Sequence, residues 1–427
     1  MQFTLQQPEI TVTAEGGLSL LEASALSPRM MIAGDWASIR IHADAARRSP
    51  EALYGSLAGK IAAADLSVVN LECVLGGETP VPKDGPNLKG DPESAQALKS
   101  AGFDLATLAN NHMMDYGQEG LEATLRACRE AGLDTVGAGT NEAAALHPYF
   151  CTIQGLRVGV LNLSDREDGE ADRRSPGVAD GFAYAVDSVI QSMRDQSDFC
   201  VVIAHGGKEY VPVPSLYWYD QLIHYALSGA DMVVAHHPHV PQGMTWLHAP
   251  ERNPVPILFS TGNFVFRPAA CDGVNIPPHT TDGYLVEVSL ETRRVAGLTL
   301  WPYRIQQEAG PRPPESAVEL EAFRHLLQAQ SEPLTDPALV AAWFDAACEW
   351  LWSHGYRVRM EGLTAKLCAG DADAAKHARN HHHGNAHLTL IDHIIRRMTY
   401  SLPPPAPALS DALRCWFTEG WRPETSS

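Results

Sequence analysis

The residues of this chain that could do chemistry stand at the ends of its apolar runs. MMIAG, beginning at Met30, leads into Asp35; LSVVNLE ends in Asn70 and Glu72; FDLATLAN runs into Asn110, Asn111 and His112. DFCVVIAH closes on His205, ADMVVAHH closes on His236 and His237 with His239 just beyond, and PILFSTGNF carries Asn263. Carboxylate, carboxamide and imidazole donors with no thiolate among them suit first-row divalent ions such as Zn²⁺, Mn²⁺ or Fe²⁺. On an extended segment, residues two apart point the same way, so His237 and His239 form a pair, and Pro238 between them argues against a helix. His236 alternates away from them and reads as structural. A two-ion site holds its ions ~3.5–4 Å apart through a shared ligand, and Glu72 is the natural carboxylate to bridge them.

Elements must exist to bring these residues together. The apolar runs, with RVGVLNLS among them, read as buried strands. Amphipathic, Ala-rich stretches over 91–101, 117–131, 141–145 and 217–228 read as helices, several followed by Gly where a C-cap is expected. Strands alternating with helices predict a largely open α/β sheet, whose ligand crevice lies beyond the carboxyl ends of the strands. Polar residues at nearly every strand end therefore point to one crevice. The pattern changes after Ile305: a Pro-rich stretch over 308–314 is followed by helical periodicity over 317–330 and 337–354, and a second Pro run covers 403–407. The expected organisation is an N-terminal extension (1–27), an α/β domain (28–305) and a mostly helical C-terminal extension (306–427) packed on it.

Composition narrows the partners. A formal net charge of -19, from 51 acidic and 32 basic residues in 427, opposes binding to phosphate-rich polymers, so no nucleic-acid partner is expected. The 8 cysteines include no CxxC pair and read as reduced thiols. No basic start followed by an apolar stretch opens the chain, and no run reaches the ~18 apolar residues that span a bilayer. A cytoplasmic protein without a membrane span is expected, acting on a small-molecule or peptide substrate; no pattern fixes an oligomeric state. Asn380, His381, His382, His383 and His387 resemble a metal tract by composition alone, and read as an exposed, adventitious run.

Six motifs follow one another in order: GD at Gly34 and Asp35, NLE at Asn70 to Glu72, ANNHMMDYG over 109–117, HGGKEY over 205–210, GADMVVAHHPHV over 229–240, and STGNFVF over 260–266. In that order and spacing they resemble the poly-gamma-glutamate capsule-biosynthesis (CapA) family, a branch of the calcineurin-like metallophosphatase fold, over residues 28–305. The resemblance implies a metallophosphatase-like layered α/β sandwich, here with a C-terminal helical appendage, and two divalent transition-metal ions (Mn, Fe or Zn). It would place Asp35, Glu72 and His239 on one ion, and Glu72, Asn111, His205 and His237 on the other. His112 would protonate the leaving group, with Asp115 orienting its imidazole. Glu209 and Asn263 would support the ions or touch substrate. Lys83 and Lys89, in the loop PVPKDGPNLKGDP, would meet a phosphate or carboxylate; Lys208 is a weaker candidate for the same work.

Relatives in the capsule machinery are typically tethered by an amino-terminal anchor; none is expected here, and the substrate expected with that is a cytosolic phosphate or peptide/poly-glutamate-type molecule. Three activities fit these residues. One is a metal-dependent hydrolase or phosphoesterase. Another is a peptide-tailoring enzyme such as a Cα epimerase, with an acid/base pair such as Asp35 and His237. The third is a non-catalytic accessory protein of polyglutamate synthesis that holds an acidic chain.

Overall fold

The computed structural model describes residues 3–22, 27–37, 49–83, 85–167, 169–266, 276–306, 310–371, 374, 385–400 and 404–418. Its apolar runs form strands buried on both faces, as Val- and Leu-rich segments do at the centre of a covered sheet. In the first sheet Leu156–Ser164, Phe199–His205, Met232–His236 and Val255–Leu258 run parallel. Tyr149–Ile153, Met244–His248 and Thr4–Gln6 add antiparallel edges. In the second, Arg29–Trp36, Leu66–Leu71, Leu105–Thr107 and Asp134–Val136 run parallel. The long hairpin of Asp282–Glu291 and Arg294–Gln306 continues that sheet on the other side of Arg29–Trp36.

Alternation along each strand explains how the layers stack. Met30, Ile32 and Val68 of the second sheet share one core with Val158, Val201 and Val234 of the first, so the sheets pack face to face. Their neighbours Met31, Ala33, Val69, Val202 and Val233 turn outward and pack under helices through Leu57, Leu98, Leu121, Ile190 and Leu222. The result is the layered α/β sandwich expected from the sequence. Helices Glu93–Ser100, Gly117–Ala131, Glu142–Ala145 and Leu216–Ser228 fall where periodicity places them. Gly132 ends the second of them with φ 72, a left-handed cap that glycine adopts without a Cβ penalty.

The C-terminal helices Ala317–Ser331, Pro337–Leu351, Arg357–Cys368, Asn385–Tyr400 and Pro407–Thr418 follow the sheets. His354 and Gly355 leave helical backbone, which ends the run predicted over 337–354. In the N-terminal segment, Thr4–Gln6 joins the first sheet and Leu18–Leu21 the second. No helix among the described residues is long and apolar enough to cross a membrane. Asn380, His381, His382 and His383, and the side chain of His387, lie outside the described residues. Cys73, Cys128, Cys151, Cys200, Cys348, Cys368 and Cys415 are free thiols.

Register is what brings the polar strand ends into line. Ser164, His205 and His236 are lateral neighbours in the first sheet. Asn263, Asp35, Asn70 and Thr107 are neighbours in the second. The ladder between Arg29–Trp36 and Leu66–Leu71 shifts register between Ala33 and Asp35, the kind of irregularity that re-aims a side chain. Gly34 sits in that shift, where an added Cβ would fall 2.1 Å from the Gly262 carbonyl oxygen and 2.8 Å from Thr261 Oγ1. Gly34→Ala is therefore expected to lower stability by about 1–3 kcal/mol, read from the urea midpoint; an unchanged midpoint would mean this close approach is not required.

Candidate metal centre

Both sheets deliver ligand-type side chains to one buried cluster. From the second sheet come Asp35 and Glu72, both 0 % exposed. From the first come His205 at a strand end and His237 and His239 just past another. Glu72, His205 and His237 each offer an atom within 4.8 Å of the others, and so do Asp35, Glu72 and His239. The two triads share Glu72. Both Glu72 carboxylate oxygens, Asp35 Oδ2 and His237 Nε2 are buried without a hydrogen-bond partner. An unmet buried carboxylate oxygen is expensive, and donors of this kind fit divalent cations.

The surrounding hydrogen bonds set the imidazole faces. Asn263 Oδ1 lies 2.8 Å from His239 Nδ1, and Asn263 Nδ2 donates to the His239 and Thr280 carbonyls. Because Asn263 occupies Nδ1, His239 Nε2 is the nitrogen left to ligate; it stands 3.8 Å from Glu72 Oε1 and 3.8 Å from Glu209 Oε1. Asn70 Nδ2 donates to Asp35 Oδ1 and faces His205 Nδ1 at 3.1 Å. That turns His205 Nε2 toward Asn111 Oδ1 at 3.1 Å, His237 Nδ1 at 3.1 Å and Glu72 Oε1 at 3.5 Å. His236 points elsewhere and pairs with Thr261 Oγ1 at 2.9 Å. His237 and His239 hold φ of 99° and 58°, and Tyr210 holds 67°. Left-handed backbone at residues with a Cβ costs about 1–3 kcal/mol each and persists only where surrounding contacts impose it.

A second group flanks the cluster. His112 Nδ1 lies 2.8 Å from Asp115 Oδ2, and Asp115 Oδ2 also accepts the Leu88 amide. Lys83 forms an ion pair with Asp115 Oδ1 and also reaches the Asn111 carbonyl at 3.2 Å. The loop lysine expected at substrate thus ties the His112–Asp115 pair to the segment carrying Asn111. Lys89 donates to the Gly77 carbonyl and lies over the Tyr116 ring, so the two lysines are not brought together on a ligand. Sequence reasoning did not single out Glu167, whose Oε1 stands 3.3 Å from His237 Nε2. Its signal was available, since the acidic segment DRED follows directly on the strand RVGVLNLS.

Charge follows from this packing. Burial, reinforced by Asp35, Glu209 and Glu167, holds the Glu72 carboxyl well above the ordinary carboxylate range. Burial alone would also raise Asp35, but His239, with Nδ1 3.3 Å from Asp35 Oδ2, brings it below its usual value. Burial pushes His205 well down, helped by His237. Burial also opposes charge on His237, yet Glu167 overrides it and lifts the imidazole to about 9. His112 is lowered by burial and by the Lys83 ammonium.

The chain matches the family described as bacterial capsule synthesis protein PGA_cap over residues 29–268. It is 33% identical over 239 residues to the capsule biosynthesis protein CapA of Bacillus anthracis, covering 55% of each chain. It is 30% identical over 230 residues to the PGA biosynthesis protein CapA of Bacillus subtilis, covering 53% of this chain and 57% of that one. A probable polyglutamine synthesis accessory protein of Mycobacterium tuberculosis is 28% identical over 220 residues, 48% of this chain and 56% of that one. The chain thus spans about half the length of the curated relatives it matches. Among solved structures, a novel phosphatase of Mycoplasma pneumoniae aligns with TM-score 0.41 at 13% identity, over 67% of this chain and 95% of that one. A 5'-nucleotidase precursor of Thermus thermophilus aligns with TM-score 0.42 at 14% identity, over 72% and 59%.

If His237 is a ligand, a cation must displace the proton that its raised pKa of about 9 retains near neutrality. Adding Mn²⁺ at pH 7 should therefore release protons, seen by calorimetry in buffers of different ionisation enthalpy, and apparent affinity should rise with pH toward about 9. Binding with no proton release would remove His237 from the ligand set.

Proposed function

The chain belongs to the bacterial capsule synthesis protein PGA_cap family, and from that premise we propose that its buried cluster is the active centre of a metal-dependent hydrolase, a phosphoesterase in the first instance, acting on an anionic phosphate or acidic peptide substrate. The observation that carries the reading is the pair of triads sharing Glu72, with both Glu72 oxygens left without a hydrogen-bond donor. Asp35, Glu72 and His239 would hold one divalent ion; Glu72, Asn111, His205 and His237 would hold the other. Bound there, two such ions supply Lewis acidity toward an oxyanion and activate water near neutral pH.

The chain's own residues supply the rest. Asn263 and Asn70 fix the imidazole faces of His239 and His205. His112 presents Nε2 as the free end of its ring because Asp115 holds Nδ1. Without substrate, burial and Lys83 keep that ring neutral at pH 7; an arriving phosphate dianion reverses the balance, since its charge favours the imidazolium that protonates a leaving group. Lys208 supports an anionic substrate. It is 6 % exposed, sits beside Glu209, and has no hydrogen-bond or ion-pair partner among the described residues. Lys83, Lys89 and Arg166 are already engaged by Asp115, Gly77 and Asp180. The accessory role in the name of the mycobacterial relative would need the anion-holding part of this site but not His112.

Turnover of phenyl phosphate and p-nitrophenyl phosphate with Mn²⁺ tests the reading. Chelation should abolish both, and Glu72→Gln should lose metal and activity together. His112→Ala should keep its metal and lower kcat for phenyl phosphate by about 10²–10⁴-fold, with a smaller loss for the nitrophenyl ester, whose leaving group needs no proton. Undiminished turnover after chelation would falsify it.

A further inference from the structure

The C-terminal helices lie beyond the segment matched to the family, yet they reach the histidine loop through an unbroken series of contacts. Trp416, on helix Pro407–Thr418, is 7 % exposed, and a buried indole N–H requires an acceptor. Its Nε1 donates to the Tyr210 carbonyl at 3.2 Å. The Tyr210 amide in turn donates to the carbonyl of Pro238 at 2.8 Å, the residue between His237 and His239. Both sides of Tyr210, held at φ 67°, are thereby fixed, and the bend at His237 and His239 is fixed with it.

A second route converges on the same place. The Trp416 ring stacks on His279, with centroids 4.1 Å apart and planes at 20°. His279 lies in the short turn Pro278–Thr281, whose Thr280 carbonyl accepts from Asn263 Nδ2, and Asn263 Oδ1 holds His239 Nδ1. Beneath both routes, Val211, Val213 and Val240 from the loops around the site share a core with Phe344, Ala347, Leu413 and Phe417 from the tail. The tail's core is completed by the site's own loops.

We propose that Trp416 is a positioning residue for the His237–His239 loop, so that helix Pro407–Thr418 is a built part of the metal centre and not only a cover. The metal-centre part of this inference rests on the hydrolase reading; the latch itself does not.

The test uses the full chain in three versions: Trp416→Phe, which keeps an aromatic ring and loses the N–H; Trp416→His, which restores a ring N–H; and Phe417→Leu, which weakens the same core without touching Tyr210. Hydrogen exchange is followed in metal-free protein over segments 205–213 and 236–242, alongside Mn²⁺ affinity and the urea midpoint. Trp416→Phe should speed exchange in both segments well beyond Phe417→Leu at a similar midpoint, and should weaken Mn²⁺ binding by about ten-fold, as outer contacts to metal ligands do. Trp416→His should recover part of each. Exchange that is unchanged in Trp416→Phe, or equal in Trp416→Phe and Phe417→Leu, overturns the proposal. Should wild type bind no Mn²⁺, the hydrolase reading fails while the exchange comparison still decides the latch. Should Trp416→Phe not fold, 3-benzothienylalanine at position 416, which keeps the bicyclic ring and loses the N–H, takes its place: exchange in both segments faster than in Phe417→Leu at a similar midpoint supports the latch, and exchange equal to wild type overturns it.

Discussion

Two carboxylates buried side by side are the constraint around which this protein is arranged. Asp35 and Glu72 are both fully buried, and the charge of Asp35 raises the energy of ionising Glu72. A like-charge pair of this kind persists only where opposite charge is supplied nearby. Imidazoles supply part of it: His239 stands 3.3 Å from Asp35 Oδ2, and His205 lies 3.5 Å from Glu72 Oε1. Neither satisfies Glu72, whose oxygens keep no hydrogen bond. Divalent cations are the partners that would turn this liability into a stable centre, because they meet both oxygens at once and need no donor geometry.

The fold can carry that concentration of charge because it is assembled from strand ends. Asp35, Asn70 and Asn263 are placed by ladder register in one sheet and His205 by register in the other. Strand backbones are satisfied by their neighbours, so the side chains at their tips can be left poorly satisfied without unravelling the frame. Strain is confined to short connections, with left-handed backbone at Tyr210, His237 and His239. The core between the sheets is continuous beneath them through Val158, Val201, Val234, Ile32 and Val68. Rigid strands set the positions and strained turns set the directions, which is the division of labour that precise ligation needs.

Much of this was legible in the sequence, and for an identifiable reason. Strand interiors here are apolar on both faces, so a polar residue at the end of a run stands out, and Asp35, Glu72, His205 and the His237/His239 pair announce themselves. Helices with alternating faces and Gly caps, such as Gly117–Ala131, are also written locally. What stayed hidden depends on pairing across long separations. Leu18–Leu21 pairs with Arg294–Gln306 through a partner hundreds of residues away, and no local pattern encodes that. Lys83 looked like a free loop lysine until Asp115, 32 residues on, took its ammonium. Glu167 was one acid in an acidic segment until folding set it against His237.

The tail shows the same limit in its strongest form. Periodicity identified its helices, and composition suggested that they cover the α/β domain. Neither could indicate that Val211, Val213 and Val240 would be the residues covered, or that a single indole N–H would end on the Tyr210 carbonyl. Packing energy alone would be met by any apolar surface, whereas the hydrogen bond from Trp416 is specific to one backbone oxygen. An extension that seals a core and also satisfies a carbonyl in a strained loop constrains that loop's geometry as well as its stability. The part of the chain outside the family match is thus physically continuous with the part inside it, and the histidine loop is where the two meet.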